Sequence, residues 1–248
     1  MVQWIDGLPV RLKEPFDLAF LRRYGTVFKV FDGQDSGNLC FGVRDGDKRY
    51  FVKFAGAPTA AYTGAVESAI GCLKAAVPVY RDLAHPALIH LVQAEEIGGG
   101  FVLVFDWVDA VCAHRMYPAN HAKFKTIPQQ DRLQIFDDIL DFHVLVAAKG
   151  YVAVDFYDGS IMWDFAHKKT VLCDIDFYQE APYANPIGRM WGSTRFMSPE
   201  EFQLGAAIDE VTNVYAMGAA AFVLFADHNR TPEACLWTWA CMMWRKKR

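Results

Sequence analysis

In the first part of the chain, short apolar runs alternate with clusters of Gly, Asp and Asn, the pattern of strands joined by tight turns. Residues 26–30 and 39–43 read as two strands around the turn DGQDSGN at 32–38, and RDGD at 44–47 leads into a third strand at 49–54. Residues 60–76 place Ala65, Ala69, Leu73 and Ala76 on one helical stripe. Pro78 restarts or kinks that helix, and 79–83 continues it. His85-Pro86 marks a turn before a strand-like 88–94, and GGG at 98–100 precedes the apolar strand FVLVFDW at 101–107. These elements predict a sheet of about five strands with one inserted helix.

Further on the period lengthens. Residues 109–127 read as irregular, and 128–149 as a helix with Pro128 near its start, Asp131 in its first turns and Lys149-Gly150 at its end. Residues 161–165 and 170–173 read as two short strands joined by the polar turn 166–169, 179–198 as loop, and 208–226 as a buried helix. Strands early and helices late predict an α+β fold of two lobes, 1–107 and 108–248, with a cleft where 107–110 crosses between them. The stretch YVAVDFYDGSIMWDFAHKKTVLCDIDFY at 151–178 holds two acidic turns, each after an apolar run. A hairpin over 161–173 has open ends that bring Asp155 and Asp174 together.

Composition narrows the function classes. The 248 residues are 53% hydrophobic and 22% charged, with a net charge of −4 that leaves no nucleic-acid footprint. Arg245-Lys246-Lys247-Arg248 is a local basic cluster that reads as a solvated tail. The start, MVQWIDGLPVRLKEPF, lacks the apolar core of a secretory signal. The longest apolar run, 214–226, falls short of the roughly 20 residues that span a bilayer, so no membrane partner is expected. Six cysteines, at 40, 72, 112, 173, 235 and 241, lack ligand spacing and point to reduced thiols in a cytoplasmic protein.

GSTRFMSPEEF at 192–202 is similar to the G-T-x-x-Y-M-A-P-E end of a kinase activation segment: Ser193 falls on the Thr, Phe196 on the Tyr, and Ser198-Pro199-Glu200 on A-P-E. With the order of elements around it, the chain over about residues 20–226 resembles the protein kinase fold, specifically bacterial Ser/Thr kinase-like proteins. The resemblance implies a two-lobed fold that binds ATP and Mg²⁺ and transfers phosphoryl groups to a hydroxyl of a protein or small molecule. It implies that Lys53 of YFVK holds the α- and β-phosphates, with Glu67 as its helix partner. It puts Gly33 and Gly37 in the phosphate loop, although Asp32 and Asp35 there would repel a triphosphate unless they point away. Leu39, helped by Val52, covers adenine, Phe105 is the gatekeeper, and Asp106 to Val108 offer backbone hydrogen bonds to the base.

In VAVDFYDGS, Asp155 matches the catalytic aspartate that receives or orients the acceptor's hydroxyl proton, and in CDID, Asp174 matches the Mg²⁺ ligand. Ser160 sits on the metal-binding Asn, and Asp176, two residues from Asp174 along an extended backbone, faces the same side as a further metal group. Several family residues differ: Ala153 and Val154 replace His and Arg, Tyr157 replaces Lys, and Asn213 replaces the Asp of the buried helix. The missing Arg predicts no phosphorylated-loop switch. Forty-eight residues follow Glu200, and the ending ACLWTWACMMWRKKR matches no kinase pattern, so a truncated lobe with Glu200 unpaired is expected. The altered loop keeps a non-catalytic binding module open as an alternative. The Asp174/Asp176 doublet keeps open a small-molecule kinase.

Overall fold

The computed structural model describes residues 1–231, 233 and 234 and has an α+β architecture of antiparallel sheets and helices. The chain divides into two compact units, Met1–Arg81 with Ile89–Val108, and Asp82–Leu88 with the chain from Asp109 onward.

The first unit opens with a hairpin of β1 (Val2–Ile5) and β2 (Leu8–Arg11) around Asp6-Gly7, both at positive φ (47° and 80°). A two-residue loop needs left-handed backbone at both central positions, which Asp tolerates and Gly supplies. After a 3-10 turn at Ala19–Arg23 come β3 (Thr26–Phe31), β4 (Asn38–Asp45) and β5 (Lys48–Ala55), then α1 (Val66–Asp82), β6 (Leu91–Ile97) and β7 (Gly100–Asp106). The sheet is antiparallel with order β3-β4-β5-β7-β6. Gly98 and Gly99, at φ 61° and 75°, close the β6–β7 hairpin.

The strands of this sheet therefore match the expected five, with two shifts. β6 begins at Leu91 rather than 88, because Leu88 bridges in parallel to Leu172 of the second unit's own fold. The helix starts at Val66 rather than 60 and runs through Pro78 without restarting, burying Ala69, Leu73, Ala76, Val79 and Tyr80. One sheet face forms a core of Leu39, Phe41, Val43, Val52, Phe54, Val102 and Val104 with Val10, Leu12, Leu18 and Leu21.

The second unit contains β8 (Val111–Cys112), α2 (Pro118–Phe124), α3 (Gln129–Ala148) and β9 (Tyr151–Val152). A 3-10 turn at Asp158–Ser160 leads into β10 (Ile161–Asp164) and β11 (Lys169–Leu172). Then follow β12 (Gln179–Glu180), β13 (Tyr183–Ala184), a 3-10 turn at Pro199–Phe202, β14 (Ala207–Ile208) and α4 (Glu210–Ala226). The stretch 109–127 is thus not irregular: Pro118 sets the first turn of α2, its fixed φ suiting that position. Likewise 179–198 holds two short strands rather than loop alone.

α3 ends at Ala148 with Lys149 as its C-cap, and Gly150 follows at φ 75°. Asp209 caps α4 by accepting from the Val211 N–H at 2.8 Å. Among the described residues no helix is long and apolar enough to cross a membrane. Cys40, Cys72, Cys112 and Cys173 form no disulfide with one another. Cys235, Cys241 and the basic ending 245–248 lie outside the described residues, as does nearly all of the unusual tail.

Candidate functional site

Lys53 lies in β5, at the centre of the first unit's sheet, and is only 8% exposed, a burial that lysine shows only when paired. Strand register puts Cys40, Lys53 and Leu103 on one transverse row. Side chains alternate faces along a strand, so Phe51 and Phe105 share the Lys53 face, and Phe105 packs edge-on against Tyr80 of α1 at 4.9 Å. Leu39 and Val52 point to the other face, where both are fully buried in the core. The expectation that Leu39 joins Lys53 on one ligand surface is corrected by this register; Cys40, one residue on, has the matching orientation.

Gly37, at φ 82°, leaves no room for a Cβ, which would stand 2.7 Å from that of Ala69 and 2.9 Å from the Tyr62 ring. Gly33 has no such need, since a Cβ there would meet only Arg11 Nη2 at 3.5 Å. The Arg11 guanidinium grips Asp32 at 2.8 and 3.2 Å, and that hydrogen bond holds its carboxyl below the usual range. Asp32 is thus held by a cation; Asp35 is exposed. Asp106 pairs with His90 at 2.8 Å. The Asp106 N–H donates to His90 O and the Trp107 N–H to Arg49 O, so these two expected base-binding donors are already engaged, leaving Val108 of the three.

In the second unit, β10 and β11 pair from Ile161↔Leu172 to Asp164↔Lys169, and the Cys173 N–H donates to Ser160 O at 3.0 Å. That bond extends the ladder one step beyond the strands. It holds the end of the Asp155 loop beside Asp174. Asp155 and Asp174 both adopt left-handed backbone, φ 62° and 61°, a region that Asp reaches more readily than most residues but still at some strain. The turn at Asp174 breaks the extended geometry on which Asp176 was to face the same side, so that alternation does not hold; Asp176 is buried.

Tyr157 links the two acidic turns. Its phenol is pushed far up, first by burial and then by the Asp174 and Asp155 carboxylates. It stays protonated, a neutral donor where a lysine would bring charge. Its ring stacks edge-on with His114 at 5.6 Å and covers Gly159, where a Cβ would come within 2.3 Å of it. Ser160 is fully buried, and its Oγ has no hydrogen-bond partner. Among the described residues no cluster of three or more His, Cys, Asp and Glu side chains could hold a metal ion.

Two further elements close on Asp155. Gly192, at φ 127°, lies so near that a Cβ would stand 3.2 Å from Asp155 Oδ1. A shallow groove beside it is lined by Asp155, Ser193, Phe196, Met197, Glu201 and Ala216, among others. From α4, Asn213 Oδ1 accepts the Ala153 N–H at 2.7 Å, and its Nδ2 reaches Tyr151 O at 3.5 Å. Glu200 is not unpaired as expected: the Thr212 hydroxyl donates to it at 2.7 Å. Burial pushes its carboxyl up, but the Thr212 bond and bonds from its own and Ser198's groups outweigh this and leave it lowered. Ser198 and Glu201 form a reciprocal cap at the start of the 3-10 turn.

Beneath the site, Tyr178 and His143 form a fully enclosed pair, 2.9 Å between the hydroxyl and Nε2. His143 Nδ1 faces Ile139 O at 2.7 Å, and a carbonyl only accepts, so the proton is on Nδ1 and the tyrosine donates to Nε2. This pair, and the burial of Asp158 described below, are not foreshadowed in the sequence, because their partners are 35 and 37 residues away. The sequence matches no protein-family model and no curated protein.

Proposed function

We propose that the chain is an ATP-dependent phosphotransferase of the Ser/Thr protein kinase-like type with a two-lobed kinase-like fold. The observation that supports it most is the Ser160–Cys173 backbone bond, which sets the Asp155 loop and Asp174 at the same end of one hairpin. Tyr157, whose phenol feels both carboxylates, agrees with that convergence. In this reading Lys53 holds the α- and β-phosphates of ATP. Asp155 takes the proton of the acceptor hydroxyl as its oxygen bonds to the γ-phosphorus, the bond to the bridging oxygen breaks, and ADP leaves.

Mg²⁺ asks for one or two carboxylates, and Asp174 with the Ser160 Oγ, which has no hydrogen-bond partner, would meet that demand, whereas the turn at Asp174 removes the ground for counting Asp176. When bound, the ion would neutralise charge on the phosphates. The acceptor is a hydroxyl of a protein or small molecule, and neither nucleic acid nor membrane takes part. Scattered cysteines without ligand or disulfide spacing suit a reducing cytoplasm.

Transfer of the γ-phosphoryl group from labelled ATP, with Mg²⁺ and serine peptides or polyols as acceptors, tests the reading. Asp155→Asn and Lys53→Met are each expected to lower the rate by about 100-fold or more. Unchanged rates in both would refute it. A second reading, a nucleotide- or partner-binding module without turnover, is favoured by neutral Tyr157 in the lysine position. ATP binding with no phosphate release to any acceptor selects it.

A further inference from the structure

The loop that carries Asp155 is tied to the 192–202 segment by a charged contact as well as by Gly192 and the Phe156–Phe196 rings. The Asp158 side chain is fully buried, and Arg195 Nη2 donates to it at 3.0 Å (Oδ2) and 3.4 Å (Oδ1). His228, just beyond α4, stands 3.5 Å from Oδ2, and His114, from the turn after β8, stands 3.6 Å from Oδ1. Arg195 Nη1 meets His228 Nδ1 at 3.2 Å. A guanidinium only donates, so Nδ1 accepts and the ring proton of His228 sits on Nε2, toward Asp158. The two histidines and the aspartate are not a metal-binding group, and the guanidinium on the same carboxylate opposes further positive charge there. The cluster is therefore an ion pair with two imidazoles around it.

A carboxylate with no exposure is tolerated only when it is paired, and breaking such a pair leaves an uncompensated charge. The position of this one matters. Asp158 follows Asp155 by three residues and precedes Ser160 by two, while Arg195 follows Gly192, which lies against Asp155, by three. The thiols of Cys112 and Cys173 approach the Gly159 carbonyl at 3.5 and 3.7 Å and hold the same peptide from the other side. Arg230 in turn donates to the Arg195 carbonyl.

We propose that Asp158 and Arg195 are positioning residues whose pair fastens the Asp155–Ser160 loop to the 192–202 segment and so sets where an acceptor hydroxyl meets Asp155. The positioning role rests on the phosphotransferase reading of Asp155, whereas the fastening does not. Gly192 against Asp155 and the edge-on rings of Phe156 and Phe196, 6.3 Å apart, also join loop and segment, but both are apolar or steric contacts. The Asp158–Arg195 pair is the charged, directional contact among them and fixes the register.

Hydrogen exchange of the full chain, followed by mass spectrometry, tests the fastening without any activity. Arg195→Gln is expected to speed exchange in peptides covering 155–160 and 189–202 by about tenfold or more, the effect of losing a buried pair, and to leave α3 unchanged. Arg195→Lys restores part of the protection, and the neutral pair Asp158→Asn with Arg195→Gln exchanges more slowly than Arg195→Gln alone. That double variant also covers the case in which a lone Asp158 prevents folding. Where the wild-type protein transfers phosphate, Arg195→Gln lowers kcat by about 100-fold, the scale of a small misplacement of reacting groups, with KM for ATP unchanged. Unchanged exchange in Arg195→Gln, or a rise as large in α3, overturns the fastening. Absence of transfer by the wild-type protein overturns the phosphotransferase reading and the positioning role, and the exchange pattern then decides the fastening by itself.

Discussion

Asn213 on α4 accepts a hydrogen bond at 2.7 Å from the backbone N–H of Ala153, two residues before Asp155. Both residues are buried, so the bond fixes the start of the acidic loop against the apolar helix of the second unit. Asn213→Ala leaves the Ala153 N–H without a partner in a dry place. The expected loss is about 1–3 kcal/mol of stability, read as a lower urea midpoint; the phosphotransferase reading adds reduced transfer at temperatures where the variant is still folded. Asn213→Asp keeps an acceptor at that position and is expected to retain more of both than Asn213→Ala.

Gly192 stands where two constraints meet. Its φ of 127° is open to glycine and strained for other residues, and an added Cβ would press on Asp155 Oδ1 at 3.2 Å. Gly192→Ala is expected to cost about 1–3 kcal/mol of backbone strain and also to shift Asp155, which on the phosphotransferase reading lowers transfer well beyond the loss of folded protein. Gly205→Ala is the matched control, because Gly205 has φ 78° with nothing within 4 Å of its Cβ position. It should lose stability alone. Equal rates per folded molecule in the two variants would remove the link between Gly192 and Asp155.

Local signals made much of this fold legible. The glycine pair at 98–99 and the polar turn at 166–169 set hairpins that form where their flanking apolar runs predict. Asp6-Gly7 is an equally strong turn signal, but its first strand leaves Val2 and Trp4 52% and 67% exposed, so no apolar alternation announces it. In 109–127 the strand has two residues and the helix seven, too few for either period to emerge. Leu39 shows a different limit. Its neighbourhood was readable, but which face it takes depends on pairing with β5, and a shift of one residue exchanges the faces. Asp155 and Asp174 could be picked out from their apolar flanks, whereas Asp158 gains its meaning only from Arg195, 37 residues on.

Tyr157 suggests an experiment that adds function rather than removing it. Burial and the two carboxylates keep its phenol protonated, so it is neutral at the acidic turns, where a lysine would be cationic. Tyr157→Lys supplies that charge beside Asp155 and Asp174, where it would meet a transferring phosphoryl group. The phosphotransferase reading expects transfer to rise about tenfold or more, since one well-placed donor is commonly worth that much. A variant that folds, binds ATP and transfers no faster would favour the binding module.

The His143–Tyr178 pair ties stability to pH. Burial pulls the His143 imidazole down to about 4 from its ordinary 6.5, and the bond from Nδ1 to Ile139 O only partly offsets this. Between those values the unfolded chain binds a proton at this histidine and the folded protein does not. Stability is therefore fully present above about pH 6.5 and falls as pH drops toward 4, by about 1.4 kcal/mol per pH unit for one proton. His228, also lowered to about 4 chiefly by burial, adds a slope of the same sign. Urea denaturation at pH 7.0 and 5.0 is expected to show a clear loss at the lower pH in the wild-type protein. His143→Gln should be less stable at pH 7.0, because Tyr178 and the helix lose their fitted partner, but should lose less between the two pH values by about one proton's share. An unchanged pH slope in His143→Gln would mean that His143 takes up its proton in the folded protein as readily as in the unfolded chain, so that burial between Ile139 O and the Tyr178 hydroxyl would not be holding it neutral.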